Sequence, residues 1–555
     1  MKKRAVKTGS TELAEVCPKT GKKFYVESQL AWVLLPVTGL LALIWFLFRV
    51  VPKPSRATYP CQRVAAPLAS GFVVWVAGLV GSTIMYRRAR HLAQRSRYVL
   101  AAACTAASVV IIWGSVCATE NNPATARRSA ETSPAAAAPA SAGASLYPQK
   151  RGPSEPANSP IGTARGIYPG RVVWVRDANA ANWDGSTGNW WDDSNTDQKT
   201  VDAMVSSAIR GLTGTSSDSA AWDALFRHFN KSRGFGDLGY KKPEKIAIKI
   251  NVNQDRGGAW KPDGGYPSPQ VVYSLVHQIV TVAGVPGSAI TIYDASRYIG
   301  DPIYNKIRSN PDSNFQSITF VVAPDIARNG RIAAVHDSTN PLQTKAGTAY
   351  LPQCVTQAKY MINLALLRAH TLCGITLCAK NHFGTTYFPD GGGWTPRLLH
   401  NSCSRSNPMG SYNCLVDLNG HKDVGGKTFL YMIDGLYPAR NQTSGVIKFV
   451  SFGNDWFSSI LASQDMVAID SVGLDFLRNE QAANPKVVDV VGNPDNYLHE
   501  AALANIPPSG TPYDPEGDGK ALESLGVHEH WNNPTEKKYS RNLGTGNGIE
   551  LEFRM

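Results

Sequence analysis

Hydrophobic positions fall into two regimes along this chain. Before residue 120 they come in long uncharged blocks; after Gly166 they come in short runs separated by helix-period segments. The short runs are rich in β-branched residues and are predicted strands: RVVWV (171–175), KIAIKI (245–250), AITIY (289–293), SITFVV (317–322), KYMINL (359–364), KTFLYMI (427–433) and VIKFVS (446–451). Between them, VDAMVSSAIRGL (201–212), AWDALFRHFN (221–230), PQVVYSLVHQIVTVAG (269–284) and DMVAIDSVGLDFLRN (465–479) carry the helical period. Pro267 and Pro269 open the third of these and Gly284 closes it. Strands alternating with helices predict an α/β fold, with a Rossmann-like, mixed or mostly parallel sheet flanked by helices, over residues 165–555.

The long blocks imply something else. Ser28–Phe48, Val64–Tyr86 and Tyr98–Thr119 contain no charged residue, and each is long enough as a helix to cross ~30 Å of hydrocarbon. Residues 1–119 are therefore expected to form an all-α anchor of three transmembrane helices. Residues 120–164, rich in Ala, Pro and Ser, read as a tether. Seven Lys and Arg precede the first block and five more lie within residues 87–97. The positive-inside bias then puts the N-terminus in the cytoplasm of a multi-pass inner-membrane protein, with the large domain periplasmic or otherwise extracytoplasmic; without insertion of the second block, two spans would leave that domain in the cytoplasm.

Charge changes the picture only by its location. The chain has 56 Lys and Arg against 43 Asp and Glu. Residues 1–164 hold 20 of those cations with six Glu and no Asp, leaving the rest with 36 against 37. The basicity belongs to the segment expected to meet the lipid bilayer. A near-neutral domain without a basic stripe argues against nucleic acid as a partner. Phosphate-loop, dinucleotide, zincin and nucleophile-elbow motifs are absent from the sequence.

Candidate chemistry collects where strands are expected to end. RVVWV runs into Arg176–Asp177, KIAIKI into Asn251-Val-Asn253, AITIY into Asp294-Ala-Ser296-Arg297, and KTFLYMI into Asp434–Gly435. Ligands of open α/β sheets bind beyond the carboxyl ends of strands, although Asp, Asn and Ser also end strands simply by making turns. A second group, Arg368, His370, Lys380, Asn381 and His382, is dense enough to bind an anionic ligand, ligate a metal or move protons. A helix over 371–380 would put Thr376 and Lys380 on one face. His370, Lys380 and Asp434 are the expected catalytic residues. Lys249, Asn251, Asp294, Ser296, Arg368 and Asn381 are expected to bind a small anionic substrate. The second class of reading is a non-catalytic module presenting the same pocket.

These residues resemble the domain of unknown function 362 family, from about Val173 to Arg478. The resemblance rests on Lys249-x-Asn251, the P-x-x-V entry near Pro269, Asp294-Ala-Ser296 and Arg368-Ala-His370, where the family usually has Lys-x-His. It continues through Lys380-Asn381-x-x-Gly384, Ile433-Asp434-Gly435 and Asp465-x-Val467-Ala468-x-Asp470. Some members carry iron–sulfur centres on Cys-x2-Cys-x2-Cys runs. Cys354, Cys373, Cys378, Cys403 and Cys414 fit no such spacing, so a cluster is not expected. A divalent metal stays open as a cofactor. Outside the cytoplasm Cys403 and Cys414 could pair.

Two further segments have a metal-like composition. Asp184, Asp192, Asp193 and Asp197 offer oxygen ligands, yet such loops are usually turns. His528 and His530 flank Glu529; a surface loop held by Trp531 is the plainer expectation. An extended segment would instead aim both imidazoles to one side, for a metal with a third ligand.

Overall fold

The computed structural model describes residues 14–16, 23–25, 81–90, 92, 94, 100, 102, 104–107, 152–153, 155–389, 392–394, 396–485 and 488–555. The chain divides into two compact units, Met1–Gly143 and Ala144–Met555. In the first, Ala14–Val16 pairs antiparallel with Lys23–Tyr25, and residues 81–90 are helical. Among the described residues no helix is long and apolar enough to cross a membrane. The expected spans 28–48, 64–86 and 98–119 lie wholly or largely outside the described residues.

The second unit is built on a ten-stranded mixed sheet. Its strands are β1 (Arg171–Arg176), β2 (Ile246–Ile250), β3 (Ile290–Tyr293), β4 (Thr319–Val322), β5 (Ile332–Ala333), β6 (Tyr360–His370), β7 (Gly374–Thr376), β8 (Thr428–Ala439), β9 (Ser459–Ser463) and β10 (Glu550–Arg554). The order across the sheet is β10-β1-β9-β8-β6-β2-β3-β4-β5, with β7 folded back on β6. The run from β8 to β5 is parallel throughout, and β9 runs against both of its neighbours.

Helices cover both faces, which is why these strands read as nearly continuous apolar runs. One face packs under α1 (Gln198–Thr213), α2 (Asp218–Ser232), α3 (Pro269–His277) and α4 (Asp301–Arg308). The other packs under α5 (Cys378–Asn381), α6 (Cys414–Gly420), α7 (Met466–Ala483) and α8 (Asp495–Ala502). In β2, Ile246, Ile248 and Ile250 go into the first core, each worth about 1.5–3 kcal/mol of burial. Ala247 turns to the second core, and by the same alternation so does Lys249. α1 starts where the Asp197 carboxylate accepts from the Thr200 amide at 2.7 Å and stops at left-handed Gly214.

Three expectations are corrected. VIKFVS forms no strand in the sheet, because 450–452 turns into a 3-10 segment. Residues 371–380 are not one helix: Gly374, at φ +84°, turns the chain so that β7 pairs with the end of β6, and only Cys378–Asn381 is helical. Asp434 is not at a strand end, since β8 continues through it to Ala439.

The described structure of the second unit also extends into the expected tether. Ile161–Gly162 pairs antiparallel with Val527–His528, and the Asn158 amide donates to the His530 carbonyl at 2.9 Å.

Candidate active site

β2 is continued by α3 to β3 on one side, while β6 lies on its other side. The chain therefore reverses its order between β6 and β2, and a crevice opens there at the carboxyl ends. β6 is paired with β2 only as far as Leu364 and runs six residues further, to His370. That overhang and its hairpin partner β7 make one wall. The space is lined by residues including Asn251, Asn253, Asp294, Ser296, Arg297, His370, Thr376, Lys380, Asn381, His400 and Gln442.

Its floor is a closed polar lattice. Lys249 is fully buried. Its ammonium donates to the Ile250 carbonyl (2.8 Å), Asp294 Oδ2 (2.9 Å) and Asn381 Oδ1 (3.1 Å), which uses all three of its N–H groups. Burial pushes the Lys249 pKa down and the Asp294 carboxylate opposes that shift. Asp294 Oδ1 accepts from the Ser296 amide and hydroxyl. Asn381 Nδ2 reaches Asn363 Oδ1 at 2.8 Å, and Asn363 donates onward to His382 Nε2 at 2.8 Å. His382 is held neutral by burial, its pKa down at about 3. Gly384 lets this lattice close: a Cβ there would stand 2.3 Å from Asp294 Oδ1.

The walls are electropositive. Arg297 donates to the Asn253 carbonyl and side chain and to the Ser296 carbonyl, all neutral oxygens. Arg368, fully buried, donates to the Gly265 carbonyl and Asn251 Oδ1, and its Nε has no partner. Burial, then the charge of Arg297, lowers the Arg368 pKa to about 9. The Lys380 ammonium lies 3.2 Å from His400 Nε2 and 3.4 Å over the Phe383 ring. Asp294 is already paired with Lys249. Thus Arg297 and Lys380 on the lining, with Arg368 buried behind Asn251, bring three positive charges to the crevice, and among the described residues no carboxylate is bonded to them. A buried cation without such a partner is costly unless an anion visits.

Two neutral donors complete the set. His370 Nδ1 accepts from the Leu372 amide (3.1 Å) and the Cys373 amide (3.3 Å), so the ring proton of the neutral imidazole sits on Nε2. Burial, with Lys380 and His400 nearby, holds its pKa well below the usual imidazole value. The Thr376 hydroxyl is buried without a hydrogen-bond partner.

The structure thus brings Asn251, Asp294, Ser296, His370, Lys380 and Asn381 to one crevice. Three predicted residues have other places. Arg368 stands behind the lining, bonded to Asn251. Lys249 is sealed in the floor with its donors spent, so it braces the site and does not reach a substrate. Asp434 is away from the crevice lining; it accepts from the Ser268 amide (2.7 Å), the cap of α3, and from the Leu436 amide (3.1 Å), and burial raises its pKa to about 6. Asp177, at the end of β1, caps a turn through Asn179. Arg297, Thr376 and His400 join the lining without having been assigned a role. Arg297 was visible next to Ser296, whereas His400 comes from the 3-10 segment Pro396–Cys403, which the apolar pattern did not mark.

Cys403 and Cys414 are not disulfide-bonded to each other. Cys403 Sγ lies 2.7 Å from Cys373 Sγ, whereas Cys414 Sγ turns to the Leu399 carbonyl at 3.3 Å; all three are free thiols. The acidic loop holds no shared centre: Asp184 and Asp192 close turns, Asp193 meets Lys306, and Asp197 caps α1.

No curated protein and no solved structure matches this chain. Residues 246–475, which contain every crevice residue named above, match the family model described as a domain of unknown function, DUF362.

Proposed function

We propose that the crevice binds a small anion and that the protein is an enzyme acting on it, carried by a domain tethered to the cytoplasmic membrane on its outer side. The carrying observation is the trio Arg297, Arg368 and Lys380, bonded to neutral groups only. Arg297 has two of its five N–H donors left for a ligand. Lys380, Thr376 and the Nε2–H of His370 are donors suited to an oxyanion, or to negative charge developing in a reaction. His370 and His400 are the groups able to move a proton. The membrane placement rests on the three uncharged runs and their flanking cations.

A binding module without turnover is the second reading, and one observation favours it. The carboxylate on the crevice lining, Asp294, is fully engaged by Lys249 and Ser296, so among the described residues of the lining no carboxylate stands free as a base.

A thermal-shift series with phosphate, sulfate, phosphomonoesters and short dicarboxylates tests both. At least one anion should raise the Tm of the wild type, and Lys380→Ala should weaken its binding by about 10-fold or more, the loss of one charge-assisted hydrogen bond of ~1.5–3 kcal/mol. An unchanged affinity in both Lys380→Ala and Arg297→Ala would sink the site. Turnover of the bound anion that is lost in His370→Asn while binding persists marks an enzyme; binding without turnover marks the module.

A further inference from the structure

We propose that Glu155, Asp495, His499, His528 and His530 form a site for one divalent first-row transition ion, with Zn2+ the best match to the donors. The site ties the start of the domain to its C-terminal part. It shares no residue with the strand-end crevice, and its five ligands lie outside the DUF362 match.

Three imidazoles converge on one carboxylate. Glu155 Oε2 is 2.8 Å from His499 Nε2, and Glu155 Oε1 touches His528 Nε2 and stands 3.1 Å from His530 Nε2. Asp495 Oδ1 is 3.4 Å from His530 Nε2. The donor atoms of Glu155, His499 and His528 lie within 4.8 Å of one another, as do those of Asp495, His528 and His530. Imidazole with carboxylate in this number suits Zn2+ and its neighbours.

The far sides of two rings decide which nitrogen is free to ligate. His528 Nδ1 is 2.8 Å from Ser471 Oγ, whose single proton goes to the Val467 carbonyl, so the ring must donate there. His530 Nδ1 donates to Asp475 Oδ1 at 2.6 Å. With Nδ1 the donor in both rings, each Nε2 faces Glu155 and is the nitrogen that would ligate an ion in exchange for its proton, the arrangement found in carboxylate–histidine–metal triads. Asp475 is itself fixed by the Trp531 amide and the Tyr539 hydroxyl. His370 in the crevice has the reverse tautomer, with its proton on Nε2, and is poorly disposed to ligate.

One observation points to a missing partner. The His530 side chain is 3% exposed, yet its Nε2 makes no hydrogen bond of proper geometry. An ion bound there would replace the protons on the three Nε2 atoms that face the Glu155 carboxylate.

The test uses the full-length protein, stripped of metal and titrated with Zn2+ and with Co2+ as a visible reporter. One tightly held equivalent per chain is expected, with a Co2+ spectrum free of thiolate charge transfer. His528→Ala and His530→Ala should lose it, Asp475→Asn should weaken it about 10–100-fold, and Cys373→Ser should keep it. A wild type that binds neither ion overturns the proposal, and so does a thiolate band, which would move the metal to Cys373 and Cys403. Equal affinity in wild type and both histidine variants overturns it as well. The wild-type spectrum decides the matter even where a variant does not fold.

Discussion

Lys249 shows what a single side chain contributes and what its motif concealed. In the one-dimensional pattern Lys-x-Asn at a strand end looks like a pair of ligand contacts. Alternation sends Lys249 to the same side as Ala247, where it meets Asp294 and Asn381 under the crevice. Losing the ammonium would leave Asp294 buried and unpaired. Lys249→Met is expected to cost about 3–5 kcal/mol in urea unfolding, far more than a surface lysine. His382 gives the pH counterpart. Its folded pKa is depressed to about 3, against an unfolded value near 6.5. The unfolded chain therefore binds the extra proton between those values, and this contribution is complete above pH 6.5 and lost as pH falls toward 3. The advantage of wild type over His382→Gln should narrow between pH 7 and 4, by up to about 1.4 kcal/mol per unit. A constant difference would mean that the ring is not buried neutral.

Elements were legible where their period was long and their ends were punctuated. β1 to β4 and α1, α2 and α7 follow the apolar pattern within a few residues, because burial on both sheet faces leaves little freedom in where those side chains go. The misses have equally local causes. β7 is three residues long and depends on a left-handed glycine, and β8 continues straight through Asp434–Gly435, which looked like a terminus. The start of α7 joins more than its own helix. Asp465 accepts from Ala468 as a cap at 3.0 Å, and also from the Arg165 amide (2.9 Å) and the Val527 amide (3.2 Å). An ordinary cap is worth about 1 kcal/mol. Asp465→Ala, which leaves three amides without an acceptor, two of them buried, should exceed 2 kcal/mol by thermal unfolding. A loss no larger than that of the Asp197→Ala cap variant of α1 would show that the two extra amides find other partners.

At the scale of the molecule, the division of charge between residues 1–164 and the rest was readable from composition, and so was the α/β class. The convergence of β2, β3 and β6 on one crevice was readable only as a shared tendency of strand ends. Which ends meet depends on strand order, and single motifs do not encode it. Contacts between distant parts of the chain were least visible: nothing local in Glu155 points to His528, and nothing in HEH reveals that both imidazoles are buried. The two-residue pairing of Ile161–Gly162 with Val527–His528 has a mechanical meaning. Tension arriving along the chain from the side of Gly152 meets Glu155 and this short antiparallel pair before it reaches β1. That clasp would bear the load first, and the ten-stranded sheet would stay unstressed until it gave way.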